Sequence, residues 1–208
     1  MSAFSLFIAG LIASIVGTIL PGLINLTAAK VAMISGKMKA FWFSLGASIV
    51  IFLQVWVAIQ FAKYIDLNPI YRQTIQVVGL LTFLGLSYYF LIVANKKKPY
   101  KKEEKIKIRT KSSRFFLGML ISGLNLFPLP YYAIIALTMS ARGYLVYELS
   151  NIISMSFGAM IGGFIVFIGY AFFFTKNDEK SFVFKNINYI IGGLTSLIAI
   201  LTLYKLIF

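Results

Sequence analysis

The chain has 208 residues, of which 60% are hydrophobic and 12% charged, with mean hydropathy +0.87. Soluble domains carry about twice that charge, so the composition points to a bilayer protein. It has 20 Lys+Arg against 6 Asp+Glu and neither His nor Cys, which excludes disulfides, Cys/His zinc sites, thiol chemistry and imidazole acid–base catalysis.

In chain order, six windows hold no charge: Met1 to Ala29, Ala40 to Ala62, Gln73 to Asn95, Phe115 to Ala141, Leu149 to Thr175 and Asn186 to Tyr204. The shortest has 19 residues. A helix needs about 20 apolar residues to cross about 30 Å of hydrocarbon. Six transmembrane helices are therefore predicted, and the fold class is an all-α integral membrane protein. No positive charge precedes Lys30, so the first window reads as a retained span and not a signal peptide.

The loops after windows one, three and five carry 16 Lys/Arg, ten of them between Lys96 and Arg114, and the opposite side carries 4. The positive-inside rule makes the richer side cytoplasmic and puts both termini outside. The basic loop 96–114 reads as a topology anchor at the head groups, with no nucleic-acid partner.

The chain also resembles itself. Pro21 precedes Gly36 by 15 residues, and Pro128 precedes Gly143 by the same interval. Ser44-Leu45-Gly46-Ala47 matches Ser156-Phe157-Gly158-Ala159. Segment 1–95 is read as a three-helix unit, 96–114 as linker and 115–208 as its copy, in a single domain. An odd number of crossings inverts the copy, the architecture of many secondary transporters, whose sites lie at Gly/Pro-broken helices. The breaks are predicted at Leu20-Pro21-Gly22-Leu23-Ile24-Asn25 and at Asn125-Leu126-Phe127-Pro128-Leu129-Pro130-Tyr131-Tyr132. Proline lacks an amide hydrogen, and glycine tolerates unusual dihedrals. Two prolines two residues apart are expected to exclude a regular helix there. Asn25 and Asn125 are expected to play matching polar roles, either lining a cavity or capping freed carbonyls.

At these residues the chain resembles the lysine exporter (LysE/RhtB) family of amino-acid exporters. The resemblance lies in Pro21-Gly22-Leu23-Ile24-Asn25, the basic turn Gly36-Lys37-Met38-Lys39-Ala40, Leu45-Gly46-Ala47 and Leu124-Asn125-Leu126-Phe127-Pro128, and it covers the whole chain. It implies a secondary exporter in the bacterial cytoplasmic membrane. Three departures stand out: Leu23 replaces the second family proline, Ile24 stands where the family often has Asp or Asn, and Leu126-Phe127 replaces Pro-Lys. The acids Asp66, Glu103, Glu104, Glu148, Asp178 and Glu179 all fall outside the windows. Proton coupling usually needs an intramembrane ionisable group. Either coupling uses a group near an interface, such as Lys30 or Glu148, or the chain is not a proton antiporter of the expected kind.

The absence of a buried carboxylate favours neutral amino acids over lysine as substrate. Expected binding residues are Pro21, Gly22, Asn25, Gln54, Asn125, Pro128, Pro130 and Tyr132. Gln54 is preferred to Gln60, which lies on another face. Gly46, Gly158, Gly162 and Gly163 are assigned to close helix packing. Expected partners are the bilayer, the amino-acid substrate and a second copy in a homodimer; no cofactor, metal or enzymatic activity is expected. The alternatives are export of another small solute or a metal ion, or a non-transporting scaffold.

Overall fold

A computed structural model describes residues 2–67, 77, 80, 81, 84, 85, 87–93, 110–173 and 187–207. Every regular element among them is helical: α1 (Ala3–Thr18), α2 (Leu23–Ser35), α3 (Lys37–Leu67), a π-helical segment (Tyr89–Val93), α4 (Lys111–Leu124), α5 (Pro128–Ala141), α6 (Leu149–Phe173) and α7 (Ile187–Ile207). Two of them, α3 and α6, are each long and apolar enough to cross a membrane. The pairs α1–α2 and α4–α5 qualify if each is counted as one broken span, bent by 79° and 63°, which makes up to four. Most of the third window, the loop residues 96–109 and Lys176, Lys180 and Lys185 lie outside the described residues.

The chain divides into two compact units, and the division cuts across the sequence halves. The first comprises Met1–Asp66 and Ile108–Thr175, and the second Leu67–Lys107 and Lys176–Phe208. In the second, Gly192 of α7 lies so close to Leu91 that a Cβ would sit 2.6 Å from its side chain. The Ser87 and Ser196 hydroxyls hydrogen-bond each other there.

The first unit has the same anatomy twice: a short helix, a break, a second short helix, a glycine turn and a long helix. Gly36 (φ 92°) and Gly143 (φ 72°) are the positive-φ residues among those described. Each ends the second short helix of its half in a conformation that L side chains rarely adopt. They are the two glycines that stand 15 residues after Pro21 and Pro128.

The halves then exchange partners. Helix α1 packs on α6, and α4 packs on α3, through glycines in reciprocal positions. A Cβ on Gly10 would lie 2.1 Å from the Met155 carbonyl oxygen, and one on Gly158 2.0 Å from that of Phe7. In the other crossing, Gly118 would meet the Phe43 oxygen at 2.0 Å and Gly46 that of Phe115 at 2.1 Å. Only hydrogen at these four positions lets the backbones approach so closely, the use of small residues at helix interfaces in lipid. The expected packing role of Gly46, Gly158 and Gly162 matches these contacts, since Gly162 faces the Leu11 oxygen. Gly163, by contrast, faces the Ile51 side chain.

The order of these contacts makes α1 parallel to α6 and α4 parallel to α3. Polar ties mark the two ends of the unit. At one end an Arg114 Nη2 donates to Ser35 Oγ at 2.8 Å, and Lys37 Nζ lies 4.8 Å above the Phe172 ring. At the other, Ser140 Oγ donates to Asp66 Oδ2 at 2.5 Å. Gly36 therefore turns the chain at one end and Gly143 at the opposite end. The 31 residues of α3 run between them, about 46 Å at 1.5 Å per residue.

Candidate functional site

The second break lies against the middle of α3, through Gln54, and the first meets α6 at Tyr170; each exposes backbone groups that no water-poor environment would tolerate unpaired. At the first, α1 ends at Thr18 and α2 begins after Gly22. Asn25, on the first turn of α2 and almost fully buried, reaches back across the gap. Its Nδ2 donates to the carbonyls of Thr18 (2.6 Å) and Leu20 (2.8 Å). The Tyr170 hydroxyl, from α6, donates to the Ile19 carbonyl at 2.8 Å. One carbonyl after another at this break is met by a side chain.

The second break is satisfied from elsewhere. Gln54, buried near the middle of α3, donates Nε2 to the Asn125 carbonyl at 2.7 Å and to the Ser122 carbonyl at 3.1 Å. With its nitrogen committed, Gln54 Oε1 is left buried without a partner, as are Ser122 Oγ and Ser14 Oγ. Asn125 Oδ1 accepts from the Phe127 amide at 3.4 Å, which makes a local turn.

Two expectations need correction here. Pro128 and Pro130 do not exclude a helix; they lie within the first turn of α5, with Pro128 as its first residue. The first amides of a helix have no intrahelical acceptor, so proline costs little there. Nor are Asn25 and Asn125 counterparts. The reciprocal crossings pair Gly10 with Gly118 and hence Ser14 with Ser122, both 108 residues apart. On that register Asn125 corresponds to Gly17, and Asn25 falls near Tyr132. The functional equivalent of Asn25 at the second break is Gln54, on a different helix.

A cavity of about 40 Å³ lies beside the second break, lined by Gly17, Thr18, Ile51, Asn125, Phe127, Pro128, Tyr131 and Tyr132. Of the predicted residues, Asn125, Pro128 and Tyr132 line it. Pro21, Gly22, Asn25, Gln54 and Pro130 are not among its lining residues. Pro21, Gly22 and Asn25 build the first break, and Gln54 holds the second from behind.

Sequence reasoning missed Gly17, Thr18, Ile51 and Phe127. At Gly17 a Cβ would meet the Tyr131 ring at 2.9 Å, so the ring keeps its place only beside a glycine, and nothing in the sequence marks that position. Tyr131 is fixed across the unit, its hydroxyl donating to the Ala13 carbonyl at 2.8 Å. Its ring stacks on Phe127 (centroids 5.9 Å, 18°) and meets Tyr132 edge-on (5.0 Å, 78°). Among the described residues there is no cluster of His, Cys, Asp or Glu able to hold a metal ion. Lys30 is exposed, and Glu148 is an exposed residue just before α6.

Compared with known proteins, the chain matches no family model, no curated protein and no solved structure.

Proposed function

We propose that this chain is a secondary transporter of six spans, arranged as two inverted three-helix repeats, that exports neutral amino acids by alternating access. Its reading as a relative of the lysine exporter family belongs to the same proposal. The observation that carries it is the pair of bent helices at matched positions, each crossing the other half's long helix through reciprocal glycines. Turns that correspond in sequence, at Gly36 and Gly143, fall at opposite ends of the unit, as inversion requires. Transporters built this way place solutes where broken helices meet near the midplane.

The end that carries Lys37, Lys39, Lys111 and Arg114 is the cytoplasmic one in this reading, and the Gly143 end faces outward. Both termini are then outside, and the membrane is the bacterial cytoplasmic membrane. The cavity is small, and transport of a whole amino acid would widen it. Without a carboxylate at either break, a neutral solute fits better than lysine.

The first break favours a second reading. Its carbonyls already have donors, as a kinked helix in a non-transporting scaffold would need.

Efflux from dipeptide-loaded cells separates the two. Wild type, Asn25→Ala and empty vector are compared at equal membrane expression. Faster release of one or a few neutral amino acids by wild type alone is expected. Coincident profiles would remove the transport reading, and tighter binding of lysine than of leucine would remove the preference for neutral solutes. A reporter active at the C-terminus on the cytoplasmic side would overturn the topology.

A further inference from the structure

The two breaks differ in the sign of charge they favour, and we infer that the cavity beside the second break is a subsite for the ammonium end of the solute. The inference takes its solute from the transport reading above; the polarity itself is local.

Three features set that polarity. Helix α4 ends at the cavity, with Asn125 as its C-cap, and so turns the negative end of its dipole toward it, with Gln54 Nε2 meeting the Ser122 and Asn125 carbonyls. Helix α5 begins there and would ordinarily answer with free amides. Pro128 and Pro130 have none, the Leu129 and Tyr131 amides are bound to the carbonyls of Leu126 and Phe127, and the Phe127 amide is bound to Asn125 Oδ1. The positive end of α5 is thereby muted. Finally, three aromatic rings line the space and no Lys or Arg does. Ring faces attract cations.

The hydroxyls add to the same sign. Thr18 Oγ1 donates to the Ser14 carbonyl and Tyr131 to that of Ala13, so lone pairs are what these two groups have left to offer. The first break differs at its helix start. Its carbonyls are met by Asn25 and Tyr170, as those of the second are by Gln54, but α2 starts at Gly22 with no side-chain cap over its amides. The group that works against the ammonium at the second break is the Asn125 amide nitrogen, and that makes it a lever.

The test uses the full-length protein in lipid nanodiscs, with empty nanodiscs subtracted, and two halves of leucine as probes. Isopentylamine lacks the carboxylate, and 4-methylpentanoate lacks the ammonium. Calorimetry is expected to give tighter binding of the amine to wild type. Phe127→Leu, at a partly exposed ring, should weaken the amine about fivefold and leave the acid unchanged. Asn125→Asp should tighten the amine about tenfold and weaken the acid. Tighter binding of the acid to wild type would overturn the subsite, as would an amine affinity that Asn125→Asp leaves within about twofold. Leucine efflux measured on the same variants keeps the two readings apart. Efflux with an indifferent amine affinity sinks the subsite and spares transport; the expected amine pattern without efflux does the reverse.

Discussion

The two breaks solve one problem with different parts. Each separates two short helices, and each must find donors for stranded carbonyls. The first is closed by a residue of its own second arm, Asn25, helped by Tyr170 from α6. The second is closed from α3 by Gln54, which leaves its own Oε1 and the Ser122 hydroxyl without partners and a cavity alongside. The backbone crossings of the two halves match, while the side chains that close their breaks differ. Orphaned hydroxyl oxygens lie beside both breaks, Ser14 at the first and Ser122 at the second, and the second adds Gln54 Oε1; an unmet buried acceptor forfeits about 1–3 kcal/mol.

The largest expected effect tests the shared frame. Gly158→Ala and Gly118→Ala each drive a methyl to 2.0 Å from a backbone oxygen in equivalent crossings. Each should destabilise the protein by about 3 kcal/mol or more, because backbone on both sides must move. Gly123→Ala and Gly169→Ala, with nothing within 4 Å, should be close to neutral. Thermal denaturation of the purified protein reads all four. Very unequal costs at Gly158 and Gly118 would break the reciprocity of the halves.

Next come the closures. Asn25→Ala leaves the carbonyls of Thr18 and Leu20 unmet in a buried site, at an expected cost of about 2–3 kcal/mol. Gln54→Leu strands two carbonyls as well but also removes an orphaned oxygen of its own, so about 1–2 kcal/mol is expected. A larger loss at Gln54 than at Asn25 would reverse the ranking of the breaks. The turns follow. Gly36, at φ 92° and ψ 155°, occupies a region open almost only to glycine, so Gly36→Ala should cost about 2 kcal/mol. Gly143, at φ 72°, lies nearer the left-handed helical region, and Gly143→Asn should cost less than about 1 kcal/mol.

Much of this frame was legible before any coordinates. Charge-free windows mark where α1 to α6 run, and the equal Pro-to-Gly spacing marks both breaks and both left-handed turns. What pattern reading could not supply was partnership. Nothing in the spacing of Asn25 and Asn125 says that the first bridges a gap while the second shapes a turn. That depends on which helix passes behind each break. Gln54 was singled out as a deep polar residue on α3, yet its role is set by α4 lying against it, a contact between residues 68 and 71 apart in sequence. Pro128 and Pro130 were read as helix breakers because their effect depends on position: in the interior they break a helix, in the first turn they begin one. The cavity was invisible for a similar reason, since it is bounded by Gly17 and Ile51, residues unremarkable in sequence.

The smallest expected effect is the finest probe of the asymmetry. Tyr131 and Tyr170 each pin the first half from the second, through one hydroxyl to one carbonyl, both at 2.8 Å. Tyr131→Phe and Tyr170→Phe should each cost about 1 kcal/mol in stability. Their consequences for the site should nevertheless differ. The Tyr131 ring lines the cavity and stacks on Phe127, so freeing its hydroxyl lets the wall of the amine subsite move. Tyr170 holds the Ile19 carbonyl at the first break and does not line that cavity. Isopentylamine affinity should therefore fall in Tyr131→Phe and hold in Tyr170→Phe, at matched loss of melting temperature. Equal changes in amine affinity for the two variants would mean that the breaks act as one unit and that the difference between them has no consequence for binding.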